Sequence, residues 1–483
     1  MSPKPVADNP YNAVPYSTLP QQQTHPSRLG AMAVLMGMEP ARVQQCRMLE
    51  IGCGTGANMI PMAAALPQSR FVGVDLADEP IAAARKTAAA LDLENIRFVA
   101  GDLRDIDESY GEFDYIVAHG VYSWVPAEIA DALLAVCRQR LSAHGVAFIS
   151  YNAWPGAHIL RMLREMMLYH SRGADNPAER IERSRWLAKY LMESNILTPA
   201  WNGMLQEIGQ GILERNSGGL YHDDLAENNE PLYFREFVAH ARRHGLQYLG
   251  ESEVSVNFDP KRALAPLAEQ APGADRIERE QYMDFLRLRR FRQTLLCHGE
   301  VELEPEPGPR HFDRLLFSAD LKVEDDRLQG RTGSCTIVND SVRRIAAEFG
   351  ARFPRPLYFA EMLPHAADEG ALRDILLGLC EAGFADVHTF DFPCERAVTE
   401  RPKATRLVRH QVVQSEYVTN ACHIPVKVDE VGRCILYLLN GTRTVRDVAR
   451  DLAVAPGHPP VEEIAEHLPE SLEWIAKHAL LEA

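Results

Sequence analysis

Three glycines at spacing two, Gly52, Gly54 and Gly56, follow the apolar run Met48-Leu-Glu-Ile51 with its single acid, Glu50. Such a run reads as a buried strand that turns tightly into a helix from about residue 57. Glycine there lets the backbone pass under a ligand with no Cβ in the way. The helix N-terminus beyond offers free N–H groups to an anionic group. Gly52-x-Gly54-x-x-Ala57 also satisfies the relaxed dinucleotide fingerprint, so the glycines alone leave two nucleotide-like ligands in play. Two later acids narrow the choice. Asp75 ends the run Arg70-Phe-Val-Gly-Val-Asp75, where a carboxylate can accept both hydroxyls of a ribose. Asp102 ends Ile96-Arg-Phe-Val-Ala-Gly-Asp102, where it suits an adenine amino group, with the Leu103 N–H facing a ring nitrogen.

The elements that must position these residues are strands at 48–51, 70–75, 96–102, 113–120 and 145–150, separated by helical stretches at a regular interval. Acids stand at the carboxyl ends of the second and third strands, where an open α/β sheet binds its ligands. The pattern resembles the class I S-adenosylmethionine-dependent methyltransferases. The resemblance implies an α/β fold with a seven-stranded Rossmann-like sheet and S-adenosyl-L-methionine as cofactor, S-adenosyl-L-homocysteine being the product. It carries the methionine part onto Gly52 and Gly54, the ribose onto Asp75 and the adenine onto Asp102 and Leu103. Glu50 would support the glycine loop and touch the methionine amino group. Cys53, Leu76, His119 and, from the N-terminal arm, Arg28 are the further expected cofactor contacts.

The chain has 483 residues, enough for two or three domains. Its net charge of −16 argues against a nucleic-acid or anionic-membrane partner and gives weak support to a basic one. Nine scattered cysteines form no C-x-x-C pair, which suits free thiols in a reducing compartment. Cys297-His298 and Cys422-His423 are isolated pairs, and no metal site is expected. No signal pattern and no run of membrane-spanning length is visible, so a cytoplasmic protein is expected.

Residues 1–10 are polar and proline-containing. The arm that follows carries Tyr11, Tyr16, His25 and Arg28 among prolines, content unusual for a plain tail. It either packs over the sheet edge or folds over the cofactor mouth, bringing Tyr16, His25 and Arg28 to the site. Tyr11-x-x-Val-Pro-Tyr16, Thr24-His-Pro-x-Arg28-Leu, Tyr151-Asn152-Ala-Trp-Pro155-Gly156 and Pro231-Leu-Tyr-Phe234 are similar to methyltransferases with a methyltransferase regulatory domain. These include the rickettsial-type protein lysine methyltransferases that act on outer-membrane proteins. After the fourth strand, His119-Gly-Val-Tyr122-Ser-Trp124 is a turn at the ligand-binding end of the sheet. Tyr151-Asn152 holds the equivalent turn after the fifth strand, where a hydroxyl and an amide oxygen could hold a substrate amine or simply bond the turn. Tyr221-His222-Asp223-Asp224 is dense in acid/base groups, although a solvated helix cap explains its acids equally. The expected catalytic set is Tyr16, His25, Tyr122, Tyr151, Asn152 and His222.

Four domains are expected. Residues 1–45 form the arm and a helix over the cofactor site. Residues 46–300 form the methyltransferase domain, with a helical insertion at about 156–230, strand six at 246–257, a loop or short helix at 260–274 and strand seven at 290–297. After an acidic, proline-containing linker at 300–309, residues 310–395 and 410–483 form two α+β, winged-helix-like modules related by a weak internal duplication. Acidic residues outnumber basic ones beyond residue 300, the wrong sign for phosphate contacts. Protein recognition or a homodimer is therefore expected of these modules, and no nucleic acid. Three functions fit: methyl transfer to a protein side chain, on a lysine amine by resemblance; methyl transfer to N or O of a small molecule or peptide natural product; or a regulatory protein that holds the cofactor without turnover.

Overall fold

The computed structural model describes residues 13–14, 16, 18–194, 196, 198–258, 261–394, 397–454 and 460–482. Tyr11 of the arm lies outside them. Seven strands form the central sheet: β1 (Arg47–Ile51), β2 (Arg70–Asp75), β3 (Ile96–Ala100), β4 (Phe113–Ala118), β5 (Leu141–Asn152), β6 (Leu246–Glu251) and β7 (Phe291–His298). Their order is β3-β2-β1-β4-β5-β7-β6, parallel except for β7, which runs antiparallel to both neighbours. The order reverses beside β1, so the carboxyl ends of β1 and β4 flank a crevice.

Strand β6 stops short of the expected 257, because residues 254–257 make a 3-10 turn. The Asn257 side chain bonds back to the Glu251 N–H and to the Glu251 and Glu253 carbonyls, closing that turn.

The N-terminal helix α1 (Pro26–Leu35) is buried along its whole length. It is wedged between the sheet and the first C-terminal module. A Cβ on Gly30 would stand 2.9 Å from Tyr115 Oη of β4 and 3.2 Å from Thr389 Oγ1 of that module. The Arg28 guanidinium, fully buried, donates to Asp386 at 2.6 Å. One hydrophobic cluster accordingly runs from Leu29 through Met48 and Phe148 to Phe317 and Leu376.

Helices α2 (Met59–Ala65), α3 (Asp78–Ala90) and α4 (Ala127–Arg140) connect the first five strands. Between β5 and β6 stand α5 (Ala157–Ser171), α6 (Pro177–Ser194), α7 (Pro199–Glu214), a π-helical turn at Leu220–Asp224 and α8 (Phe234–Arg243). The first three pack on each other around Leu163, Ile181, Leu205 and Ile208, a core separate from that of the sheet. Helix α8 buries Phe234, Phe237, Val238 and Ala241, the i, i+3, i+4, i+7 stripe that docks it on the sheet.

The two C-terminal modules repeat one order. In the first, β8 (Leu316–Ser318) lies between β9 (Leu357–Tyr358) and β10 (Asp386–His388). In the second, Lys403 and Ala404 bridge Asn440 and Leu481 in the same central place. A helix precedes the first flanking strand in each: Asp340–Arg352, then Glu430–Leu438.

Candidate active site

The glycine loop is folded by local rules. Gly52, Gly54 and Gly56 all have positive φ, at 77°, 51° and 72°, which a side chain rarely tolerates. The Gly52 N–H donates to the Val74 carbonyl at 2.8 Å, and the Gly54 N–H donates to Asp75 Oδ2 at 2.8 Å. Asp75 Oδ1 accepts from the Ala77 N–H. One carboxylate thus ties the loop to the end of β2. Burial raises the Asp75 carboxyl above its ordinary value, against the backbone N–H bonds that lower it.

A cavity of about 930 Å³ opens at this loop. Ligand pockets span about 300–1,000 Å³, so it can take a nucleoside-sized ligand together with an acceptor side chain. Glu50, Gly52, Cys53, Gly54, Asp75 and His119 line it, and so do Tyr16 and Asn152. Burial pushes Glu50 up to about 8, and Asp75 nearby adds to the shift. Glu50 Oε1 accepts from Asn58 Nδ2 at 2.9 Å, while Oε2 is buried without a partner. The His119 ring is held neutral, burial lowering it to about 4, and its Nδ1 is also unpartnered.

Eight of the expected residues are not among the lining. Arg28 is spent on Asp386 and the first C-terminal module. His25 caps α1, its Nδ1 accepting from the Ser27 N–H, and its ring packs on Phe392. Tyr122 faces inward, edge-on to Phe237, with its hydroxyl 2.6 Å from His240 Nδ1. Tyr151 is fully buried, stacked on Phe237, and its hydroxyl lies 3.0 Å from Thr294 Oγ1. Thr294 donates in turn to Glu251, so Tyr151 is the donor of that pair. The His222 ring bonds the Val14 carbonyl through Nε2. Asp102 is gripped in a fork by Arg104, two residues on, and caps a 3-10 turn. Leu103 sinks into the core under α4, and Leu76 is 64% exposed to solvent.

Residues outside the expected catalytic and cofactor sets also take part. Asn58, just past the loop, accepts from the Gln21 N–H and donates to Glu50. Its only sequence signal is an amide at the start of α2. Asp223, one residue beyond His222, lines the cavity. The Tyr16 hydroxyl donates to both of its carboxylate oxygens at 3.2 Å. Burial pushes Asp223 up to about 6, with Asp224 adding to the shift and Arg215 and Tyr16 opposing it. Asn152 Nδ2 donates to Asn229 Oδ1 at 2.9 Å. Arg161 and Arg164 of α5 and Arg215, paired with Asp224 at 2.8 Å, complete this part of the lining. No local pattern announces them, because each is brought in by the insertion.

The sheet order, the glycine turn and the acid at the end of β2 define a class I S-adenosylmethionine-dependent methyltransferase. Residues 48–145 match a methyltransferase domain, residues 216–298 a predicted methyltransferase regulatory domain, and residues 400–455 the C-terminal winged helix domain of PKMT. An uncharacterised protein of Rickettsia prowazekii (strain Madrid E) is 34% identical over 472 residues, 90% of this chain and 84% of that one. A second from the same organism is 36% identical over 241 residues, 50% of this chain and 96% of that one. The structure of PKMT2 from Rickettsia typhi, also solved with AdoHcy, superposes with a TM-score of 0.84 at 26% identity, over 97% of this chain and 100% of that one. The chain belongs to this family of class I methyltransferases, which carries the regulatory domain and the PKMT winged helix.

Proposed function

We propose that the enzyme transfers the methyl group to a protein side chain, a lysine amine, and that it works in the cytoplasm. The observation that carries the amine is the Asp223 carboxylate, held by Tyr16 on the same cavity as the glycine loop. The likeness to PKMT2 along nearly the whole chain supports a protein as its bearer. Nine free cysteines support a reducing compartment, and among the described residues no helix is long and apolar enough to cross a membrane.

S-adenosylmethionine supplies an electrophilic methyl on a sulfonium sulfur. The residues of this chain bind it and prepare the acceptor. Gly52 and Gly54 would leave room for it, Asp75 would accept from its ribose hydroxyls, and Glu50 would accept from its amino group. On the acceptor side, a lysine at pH 7 is an ammonium, and freeing its lone pair costs about 4.6 kcal/mol for a pKa of about 10.4. Arg161, Arg164 and Arg215 on the lining oppose a second positive charge and lower that cost. Asp223, ionised at neutral pH, accepts one N–H of the amine and then its proton. The Asn152–Asn229 pair offers an amide to orient the rest of the side chain.

The test is a host-cell extract incubated with the enzyme and isotopically labelled S-adenosylmethionine, read by peptide mass spectrometry. Label on lysines of one or a few proteins is the expected result. Label confined to small molecules would overturn the protein reading.

A further inference from the structure

His423 comes from the second C-terminal module, in the turn between the strands Tyr417–Thr419 and Pro425–Lys427. It lies 365 positions from Asn58 in the chain, yet its Nε2 stands 3.0 Å from Asn58 Oδ1. The turn is built to present it. The Asn420 side-chain oxygen accepts from the N–H groups of Cys422 and Ile424, and the His423 backbone sits in the left-handed region at φ 60°. A side-chain-bearing residue held there is costly and persists only when its surroundings over-determine it.

The donor directions are fixed by one backbone group. The Gln21 N–H can only donate, so the Asn58 atom it meets at 2.9 Å is the amide oxygen. His423 Nε2 faces that same oxygen and must therefore carry the proton. Burial keeps the ring neutral, lowering it to about 3, so it has a single N–H to give and its Nδ1 stays unpartnered. With its oxygen held by the arm and by the C-terminal module, the Asn58 amide must turn its NH2 to Glu50 Oε1 and Thr24 Oγ1, both at 2.9 Å. Glu50 Oε1 is thereby held, and Oε2, on a residue that lines the cavity, is left without a partner. The His25 ring, 5.4 Å from that of His423, closes the space beneath.

We infer that His423 is a positioning residue of the cofactor site: through Asn58 it sets Glu50 to receive the amino group of the cofactor. The second winged-helix module is then part of the cofactor site, and its docking and cofactor binding are coupled in both directions. The inference rests on the cofactor assignment alone and is indifferent to the identity of the acceptor.

The experiment is calorimetric titration of the full chain with S-adenosylhomocysteine, in the wild type, His423→Ala, His423→Gln and Ile435→Ala. Ile435 lies in the core of the same module and does not touch the relay. His423→Ala should weaken binding about tenfold, within the 5–150-fold range of couplings between sites. His423→Gln, which keeps an N–H of similar reach, should recover most of the loss, and Ile435→Ala should bind as wild type. Unchanged affinity in His423→Ala, or equal losses in His423→Ala and Ile435→Ala, overturns the relay. Should His423→Ala fail to fold, hydrogen exchange on the wild type decides. Added S-adenosylhomocysteine must slow exchange at residues 420–424, and no slowing there refutes the coupling.

Discussion

The cavity has two linings built in different ways. The cofactor lining, from Glu50 to Asp75, lies within a short length of chain. The turn itself follows from glycine torsions and one carboxylate that accepts from Gly54 and Ala77, and only the setting of Glu50 through Asn58 reaches beyond it. The acceptor lining joins Tyr16 to Asp223, 207 positions apart, and Asn152 to Asn229, 77 apart. The first is a motif that a strand and a turn must make. The second exists only once the arm and the helical insertion have packed, so it can differ between relatives without disturbing the first. Separating binding from turnover by substitution tests that division.

The largest effect should come from a residue on neither lining. Arg28→Met leaves Asp386 buried without its main partner and should cost about 3–5 kcal/mol in urea unfolding, with cofactor affinity per folded molecule unchanged. Burial alone would raise the Asp386 carboxyl, but Arg28 and Arg331 hold it well below the carboxylate range. A loss of affinity with no loss of stability would return Arg28 to the cofactor lining.

Asp223→Asn should lower kcat about 100-fold, the scale of a lost proton acceptor, and leave S-adenosylhomocysteine binding intact. A matching fall in affinity would break the division. Asp75→Ala should do the reverse, weakening calorimetric affinity more than tenfold, since it removes the ribose acceptor and the partner of the Gly54 N–H. Unchanged affinity would remove β2 from the cofactor lining.

Glu50 gives a pH test. With its carboxyl raised to about 8, the free site holds a proton at neutral pH. The cofactor's ammonium favours the carboxylate, so binding expels that proton and affinity must rise with pH. The gain should be about tenfold between about pH 6.5 and 8 and level off above, and Glu50→Gln should flatten it. The smallest effect is expected of Tyr16→Phe. Losing the hydroxyl that donates to Asp223 raises that carboxyl further. The acidic limb of the kcat profile then moves to higher pH, for about a threefold loss at pH 7.

The alternation of apolar strands with helices, and the glycine turn, were legible because both are local. Positive φ at three alternating glycines admits few other residues, and acids at strand ends face the crevice by sheet topology. Asp102 lies at its expected strand end, but its carboxylate is held by Arg104 two residues on and is not among the cavity lining. Tyr122 and Tyr151 stand at the right strand ends, but the stripe of α8 offers them Phe237, and burying an aromatic face outweighs lining a polar cavity. In the π-helical turn at 220–224 the His222 ring bonds the Val14 carbonyl, and Asp223, one residue on, lines the cavity instead.

The sequence by itself determined the class of fold, the cofactor turn and the nucleotide-like ligand, since torsion, periodicity and short-range hydrogen bonds act within a few residues. Only the tertiary structure decided that α1 is a core helix, that Asp223 rather than His222 meets the cavity, and that His423 reaches Asn58. Each of these depends on burial against a distant segment, and the desolvation that turns a buried polar side chain toward one partner is not encoded in its neighbours along the chain.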